Sequence, residues 1–526
     1  MILLLLILFS SSQSANIFAG AFLGGSHFTA IYDLAVILAD AGHNITFVNM
    51  ESGQLEKVPS HPNIHGIDII VWDGADKNMM WENCIASYIL ADSSDEMRFT
   101  SEGCVELWTV IFIRSAEVYT TKEVRDLFTT TQFDVILGEK VDFSGLSLLG
   151  TLTHVPVVNF EPGLFVELSL LHCNLPVLIT SQPSLVFNRG FHLPPSFIDR
   201  LSVLRNALRT LPIVLAGLQA MQPFLEKFEF SSLDDVKDSI KLFLTNDHPA
   251  FTFPFLRPPN DIPIGCANLL GSQDDPIEFS PQIAQFLEES ADKDVVYVSL
   301  GSYVKISEVS WYSELIDILI KLDLRVIVTV DKNFDSKFPK SVLPLTWAPQ
   351  KDLLRSGKVK LFISHCGNNG RLETIFYNVP VLCIPLFGDQ PVNAELIKLN
   401  GFGDSMMKEE VPIRASELVP TMNADHEKYC EKMKKASDIV ENEPGNVRKN
   451  FVFYIEHVAK FKNVDYLVNK VIKQQSLVET YNLDIILPLC LILLTLMVLI
   501  LWALYKLCTY CVLGSPLFGL KKQKCH

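Results

Sequence analysis

Between Trp347 and Gln390 the chain carries residues whose types and spacing suit a nucleoside diphosphate. Ser364-His365-Cys366-Gly367-Asn368-Asn369-Gly370 reads as the joint between a strand and a helix beginning near Asn369. Glycine at such a joint lets backbone N–H groups approach a ligand, and the positive end of the helix dipole favours an anion. His365 can donate to a phosphate oxygen there. Glu373, one turn further on, can accept from both hydroxyls of a ribose, although alone it would equally suit the start of a helix. Trp347 lies in a loop beside Pro349-Gln350, where a helix starts, so a base can stack on its indole for about 1–3 kcal/mol. Asp389-Gln390 form a polar loop before a helix at Pro391.

A second feature stands near the N-terminus. His27 follows Gly24-Gly25-Ser26 at a strand-to-helix turn. A near-neutral imidazole in such a turn can take a proton from a hydroxyl, whereas a lone histidine there is otherwise a cap or a surface residue.

Two sets of alternating elements must position these groups. Asn16–Ala21 is a short apolar strand, Ile31, Leu34, Ala35 and Leu38 recur at helical spacing, and Gly42 precedes a strand over Ile45–Val48. Phe133–Leu137 and Val155–Val158 look like later strands of the same parallel sheet. A Pro-rich passage from Phe251 to Pro263, with Gln273-Asp274-Asp275-Pro276 beyond it, reads as a linker. The pattern then begins again with strands at Val295–Leu300, Arg325–Val330, Lys360–Ser364 and Val381–Ile384, and a helix over Trp311–Leu322. Two doubly wound domains place a ligand cleft at the carboxyl ends of both sets of strands.

Composition and the chain ends narrow the class. A chain of 526 residues with 48% hydrophobic and 20% charged residues predicts two packed domains rather than disorder. The net charge of -16 argues against a nucleic-acid partner. Cys508 and Cys511 have no partner pair at zinc-ligand spacing. Cys84, Cys104, Cys173, Cys266, Cys366, Cys383 and Cys430 are too few for a disulfide-built fold; Cys84 could bridge Cys104, and scattered buried thiols are the plainer expectation. The apolar run Ile2–Phe9, followed by small residues at Ser12 and Ser14, reads as a signal peptide over 1–14. Ile485–Tyr505 carries no charge and as a helix reaches about 31 Å, the thickness of a bilayer core. Lys506, Lys521, Lys522 and Lys524 follow it and Asp465, Glu479 and Asp484 precede it, so positive-inside logic puts 506–526 in the cytosol and the rest in a lumen. Lys522 and Lys524 also resemble a dilysine retrieval signal, and Asn44-Ile45-Thr46 would then face the glycosylation machinery.

Trp347-x-Pro349-Gln350-x-Asp352-Leu353, His365-x-Gly367-x-Asn369-Gly370-x-x-Glu373, Pro380, Pro385, Phe387, Asp389-Gln390 and Asn393 together resemble the signature of the UDP-glycosyltransferase family. The likeness runs from Ile17 to the tail and implies a GT-B fold, two Rossmann-like α/β domains facing across a cleft, plus one C-terminal transmembrane helix. It divides the chain into an acceptor domain over 15–260, a linker over 261–290, a donor domain with return helices over 291–484 and a span over 485–505. It further implies that Trp347 stacks on uracil, that Gln350 and Glu373 hold the ribose, and that Ser302, His365 and Asn369 hold the diphosphate beside Gly367 and Gly370. Asp389 and Gln390 would bind the sugar hydroxyls, and His27 would be the catalytic base. The family's supporting acid follows a strand that reads Phe133-Asp134-Val135-Ile136-Leu137-Gly138 here; Glu139 fills its place with one extra methylene, and Asp142 is the rival. Cys366 stands where glycine is common in the family.

The resemblance implies transfer of a sugar, glucose or glucuronate, from a UDP-sugar to a small lipophilic acceptor, with inversion to a β-glycoside. The UDP-sugar is a co-substrate and no cofactor or metal is called for; a homo-oligomer is compatible with this reading. A donor-binding pseudoenzyme would lack a base and acid, a type I receptor would lack the lysine-ended tail, and a Rossmann dehydrogenase would need glycines spaced otherwise than Gly20 to Gly25. In sealed microsomes, protease should remove only residues after Tyr505, placing the catalytic domains in the endoplasmic reticulum lumen. Digestion of the large domains without detergent would contradict that orientation.

Overall fold

The computed structural model describes residues 14–21, 25–49, 58–69, 113–139, 143–163, 169–170, 172–173, 175, 196–198, 200–201, 219–271, 276–290, 292–301, 304, 306, 309–331, 334, 338–386, 388–469, 471–472 and 475–513. The signal-like segment before Ser14, Cys84, Cys104, Asp142, Ser302, Phe387 and the lysine-ended tail lie outside the described residues.

The first half comprises β1 (Asn16–Ala21), α1 (Ser26–Asp40), β2 (Asn44–Asn49), β3 (Ile64–Asp68), α2 (Lys122–Thr130), β4 (Val135–Glu139), α3 (Phe143–Thr153), β5 (Val157–Glu161), α4 (Leu233–Lys237), β6 (Ile240–Thr245) and β7 (Asp261–Pro263). Its strands form a parallel sheet in the order β3-β2-β1-β4-β5-β6-β7. The second half comprises α5 (Pro281–Glu288), β8 (Val295–Ser299), α6 (Ser310–Lys321), β9 (Arg325–Thr329), β10 (Val342–Leu345), α7 (Gln350–Arg355), β11 (Val359–Ser364), α8 (Asn368–Phe376), β12 (Val381–Cys383), α9 (Gln390–Asn400) and β13 (Gly403–Ser405). Its sheet, also parallel, has the order β10-β9-β8-β11-β12-β13. In both sheets the chain starts at an inner strand, winds outward and then reverses, β1 lying beside β4 and β8 beside β11. Loops leaving those neighbouring strands diverge and open a crevice at their carboxyl ends. His27 follows β1 and Glu139 ends β4, while Gly301 follows β8 and His365 follows β11. His27, Glu139 and His365 therefore sit at the two reversal points.

Burial on both faces explains the composition of the inner strands. Ile17, Phe18 and Ala19 of β1 and Val135, Ile136 and Leu137 of β4 have no exposed surface, as expected where a parallel sheet is covered on both sides. Two strands run further toward the carboxyl side than the apolar runs suggest. β4 is Val135–Glu139 rather than 133–137, because Ile17 pairs with Val135 while Phe133 turns its ring edge-on to Phe18. β5 is likewise Val157–Glu161 rather than 155–158. The Pro-rich passage is packed rather than loose: Phe251 is buried and β7 lies at the start of the stretch read as a linker, on the sheet edge where proline is tolerated. Thr245 donates to Asp261 at 2.5 Å, and Arg257 reaches both Asp247 at 2.5 Å and Asp261 at 3.5 Å.

The chain then adds α10 (Val411–Ala424), α11 (His426–Glu441) and α12 (Val447–Phe461). α12 returns to the first sheet, packing on α1 and β4 through a face that includes the buried Phe451, Ile455 and Val458. Both sheets belong to one compact unit, residues 1–169 and 178–468. Residues 170–177 and 469–526 form a second unit, which contains α13 (Leu483–Leu513). Leu483–Cys511 is long and apolar enough to cross a membrane, and none of it is buried.

The start of α8 is joined to the first domain by buried polar contacts. Asn368 donates through Nδ2 to the carbonyls of Pro162 and Asn246, both at 2.7 Å. Its Oδ1 accepts from Arg371 Nη2 at 2.6 Å, and Arg371 Nη1 donates to the Phe251 carbonyl at 3.0 Å. Arg371 has no exposed surface. Arg371→Met leaves the Asn368 and Phe251 oxygens without their buried donor and removes one of the two cations near Asp247, so thermal and denaturant unfolding should report a loss of about 3–5 kcal/mol. Unchanged unfolding would remove Arg371 as the anchor of α8.

Candidate active site

Each reversal point holds a histidine, and the surroundings make the two rings opposites. His27 occupies the first turn of α1 after Gly25, whose φ of 61° suits glycine in the sharp turn out of β1. Its Nδ1 is bonded to Oε1 of Glu139, which is buried at the end of β4. The His27 side chain is 30% exposed, so its ring remains open to the cleft. Burial pulls the His27 pKa down, but the carboxylates of Glu139, Asp389 and Glu161 outweigh it, and the net shift is upward. Glu139 thus meets the ring, while Asp142 lies outside the described residues.

His365 has no such neighbours. Burial pulls its pKa down to about 4 against a hydrogen bond with the Ser299 backbone, so the ring is neutral near pH 7. Its Nδ1 is buried without a partner among the described residues. Two glycines make room for it: a Cβ on Gly301 would lie 2.8 Å from the ring, and one on Gly367 would lie 2.7 Å from Nε2. Gly367 is also the residue before α8, and no side chain caps that helix. The first N–H groups of the helix thus lack a side-chain acceptor.

The other predicted residues gather around the same end of the second sheet. Gln350 Nε2 donates to Glu373 Oε2 at 2.7 Å, and Gly370 leaves space beside that amide. Glu373 is nearly buried, which raises its pKa, while Lys351 and Gln350 oppose the rise. Asn369 Nδ2 donates to the Ser26 carbonyl at 3.1 Å, linking α8 to the residue before His27. Its Oδ1 accepts from Asn246 at 2.9 Å. Asp389 precedes α9 and accepts from Asn393 at 2.8 Å; burial raises its pKa. The buried Gln390 accepts from the Leu386 N–H at 2.8 Å and so braces its own loop. Trp347 is 77% exposed, a large indole face left open in the loop before α7.

Four participants escaped the sequence reading. Asn368 and Arg371 weld α8 to the first domain, while Lys351 and Asp33 form an ion pair of 2.6 Å between domains. An arginine in the first turn of a helix opposes the dipole, and that misfit was the available signal for Arg371. The expectation of scattered thiols also fails at two positions, because Cys366 and Cys383 form a disulfide. Strands β11 and β12 are neighbours with Ser364 opposite Cys383, which brings Cys366, two residues on, to a Cα separation of 5.4 Å.

The sequence agrees with this geometry. The model of the UDP-glucoronosyl and UDP-glucosyl transferase family matches residues 22–516. The chain belongs to this family. Relatives include UDP-glucuronosyltransferase 3A1 of Bos taurus, 25% identical over 489 residues that cover 90% of each chain. UDP-glucuronosyltransferase 2B1 of Rattus norvegicus is 29% identical over 426 residues, 75% of this chain and 73% of the rat protein. Among solved structures, a UDP-glucosyltransferase from Polygonum tinctorium complexed with 3,4-dichloroaniline aligns with a TM-score of 0.59 at 14% identity. The alignment covers 85% of this chain and 99% of that one. The glycosyltransferase SnogD from Streptomyces nogalater gives a TM-score of 0.56 at 16% identity, over 85% of this chain and 100% of its own. The fold is the GT-B arrangement, and the chain is a glycosyltransferase that uses a UDP-sugar. Peptide mapping without reductant should recover the Cys366 and Cys383 peptides linked. Alkylation of both cysteines in the unreduced, denatured protein would exclude the bridge.

Proposed function

We propose that the enzyme transfers glucose or glucuronate from the UDP-sugar to a hydroxyl of a small lipophilic acceptor, with inversion to a β-glycoside. The His27–Glu139 pair carries the reading. His27 takes the hydroxyl proton as the oxygen attacks the anomeric carbon opposite UDP, and the carboxylate stabilises the imidazolium that forms. The glycosidic bond to UDP breaks as the new one forms, and the electron pair leaves on the diphosphate. The uncapped start of α8 stabilises that charge, and His365, neutral, adds no competing acid beside it. Trp347 stacks on uracil, Gln350 and Glu373 hold the ribose, and Ser302 and Asn369 join His365 on the diphosphate. Asp389 and Gln390 hold the sugar hydroxyls. No step in this scheme calls for a metal.

Asn369 supports the assignment because it ties the proposed diphosphate helix to the turn that carries the base. The proposed setting is the lumenal face of the endoplasmic reticulum, with α13 as the anchor. Mass spectrometry of products from UDP-glucose and UDP-glucuronate with a panel of lipophilic alcohols and phenols tests donor and acceptor class together. Retention of the α configuration, or turnover by His27→Ala, would overturn the mechanism.

The acid limb of the pH profile follows from the His27 environment. The base must be neutral, so turnover should fall as pH drops through its raised pKa. Glu139→Gln removes the strongest of the raising influences, so the limb should move to lower pH. The plateau should drop by on the order of 10³–10⁴ because the imidazolium loses its support. A Glu139→Gln enzyme with the wild-type limb and plateau would exclude the pair.

A further inference from the structure

We propose that Lys351 is a positioning residue that couples occupancy of the ribose site to placement of the helix bearing the base. The inference rests on the donor-site reading above. Lys351 lies in the first turn of α7, directly after Gln350. A cation at that end opposes the helix dipole, so its place needs another explanation. Two carboxylates from different domains supply one. Oδ2 of Asp33, on α1, accepts from Lys351 Nζ at 2.6 Å and from Asn268 Nδ2 at 2.9 Å. Glu373, on α8, is the second: burial lowers the Lys351 pKa, but Asp33 and Glu373 outweigh it and hold the ammonium charged.

Asp33 shares α1 with His27. The second domain therefore holds this helix at two points. Asn369 bonds the Ser26 carbonyl at its start, and Lys351 bonds Asp33 two turns along. The first contact comes from the proposed diphosphate site and the second from beside the Gln350–Glu373 pair. An ion pair with both side chains about a third exposed adds little to stability, so its contribution is geometric. A ribose held by Gln350 and Glu373 fixes the first turn of α7, and Lys351, the next residue on that turn, is already bonded to Asp33. Fixing that turn thereby holds α1, with its histidine, in place beside the loaded donor. The coupling makes the base ready when a donor is present.

The test uses the full chain in detergent, with calorimetry for UDP and initial rates for turnover. Asp33→Asn should lower kcat by about tenfold with UDP affinity nearly unchanged, because only the tether to α1 is lost. Lys351→Met should lower kcat by a similar factor and also weaken UDP, since Glu373 loses its counter-charge. Asp33→Asn placed in the Lys351→Met background should cost nothing further in kcat, and Lys351→Arg should restore most of it. Losses that multiply in the double variant, full kcat in Asp33→Asn, or no recovery with Lys351→Arg each overturn the coupling. Trp347→Ala and Glu373→Gln separate the two levels. If neither weakens UDP, the donor-site reading itself falls; if both do and Lys351→Met does not, only the coupling falls.

Discussion

An arginine without exposed surface gives up its hydration, and every N–H it carries then needs an acceptor. Arg371 places all three of its nitrogens on acceptors, Nε and Nη2 on Asn368 Oδ1 and Nη1 on the Phe251 carbonyl, and burial still pulls its pKa down to about 10. Asn368, held by Arg371, spends its amide on two carbonyls of the first domain. The start of α8 is thereby fixed relative to β5 and β6 rather than merely packed near them. Everything proposed for the diphosphate depends on that fixation, because a helix dipole falls off within a turn. A shift of 1 Å at that end would also move Asn369 away from Ser26.

The two histidines show how equivalent places in two similar sheets can hold rings of opposite charge preference. His27 and His365 follow strands at equivalent reversals of two similar sheets, and burial acts on both in the same direction. The difference lies in the charges around them. Carboxylates from β4, β5 and the loop before α9 face His27, whereas His365 is wedged between two glycine backbones and bonded to a peptide group. An imidazolium at His365 would need to be stabilised in a buried site without a carboxylate beside it; the neutral ring, with its one N–H bonded to the Ser299 backbone, needs none. Likewise, a base without carboxylates would be a weaker proton acceptor. Asp389 serves both sides, adding to the field at His27 while its own charge is disfavoured by burial.

Groups that act through spacing along one element were legible in the sequence. The glycines around His365, the helix start at Asn369 and the turn before His27 all follow from a strand leading into a helix, and the fold placed them there. Contacts closed by distant segments were not. Lys351 and Asp33 are separated by 318 positions, and nothing local marks either as a partner. The acid was half legible: the strand pattern pointed to Glu139, but the strand begins two residues later than its apolar run, which is what sets Glu139 at its end. The packing of the Pro-rich passage was not legible, for a physical reason. Prolines suit an edge strand as well as a linker, and only the buried Arg257–Asp247–Asp261 cluster distinguishes the two.

Cys366 carries the same lesson into energetics. Its φ of 60° lies in the left-handed region, where a side chain costs on the order of 1 kcal/mol and glycine costs none. A bare cysteine would therefore weaken the loop that must present His365 and Gly367. The bridge to Cys383 changes the balance, because a cross-link over 17 residues removes conformations from the unfolded chain and stabilises by about 3 kcal/mol. The Cys366 carbonyl also accepts from Asn393, whose amide holds Asp389 as well. The cross-link thus ties the loop after β11 to the end of β12 and, through Asn393, to the start of α9. A glycine would relieve the backbone but leave those segments joined only by hydrogen bonds. The cysteine pair accepts a strained backbone at one residue in return for a loop after β11 that is covalently held to the end of β12.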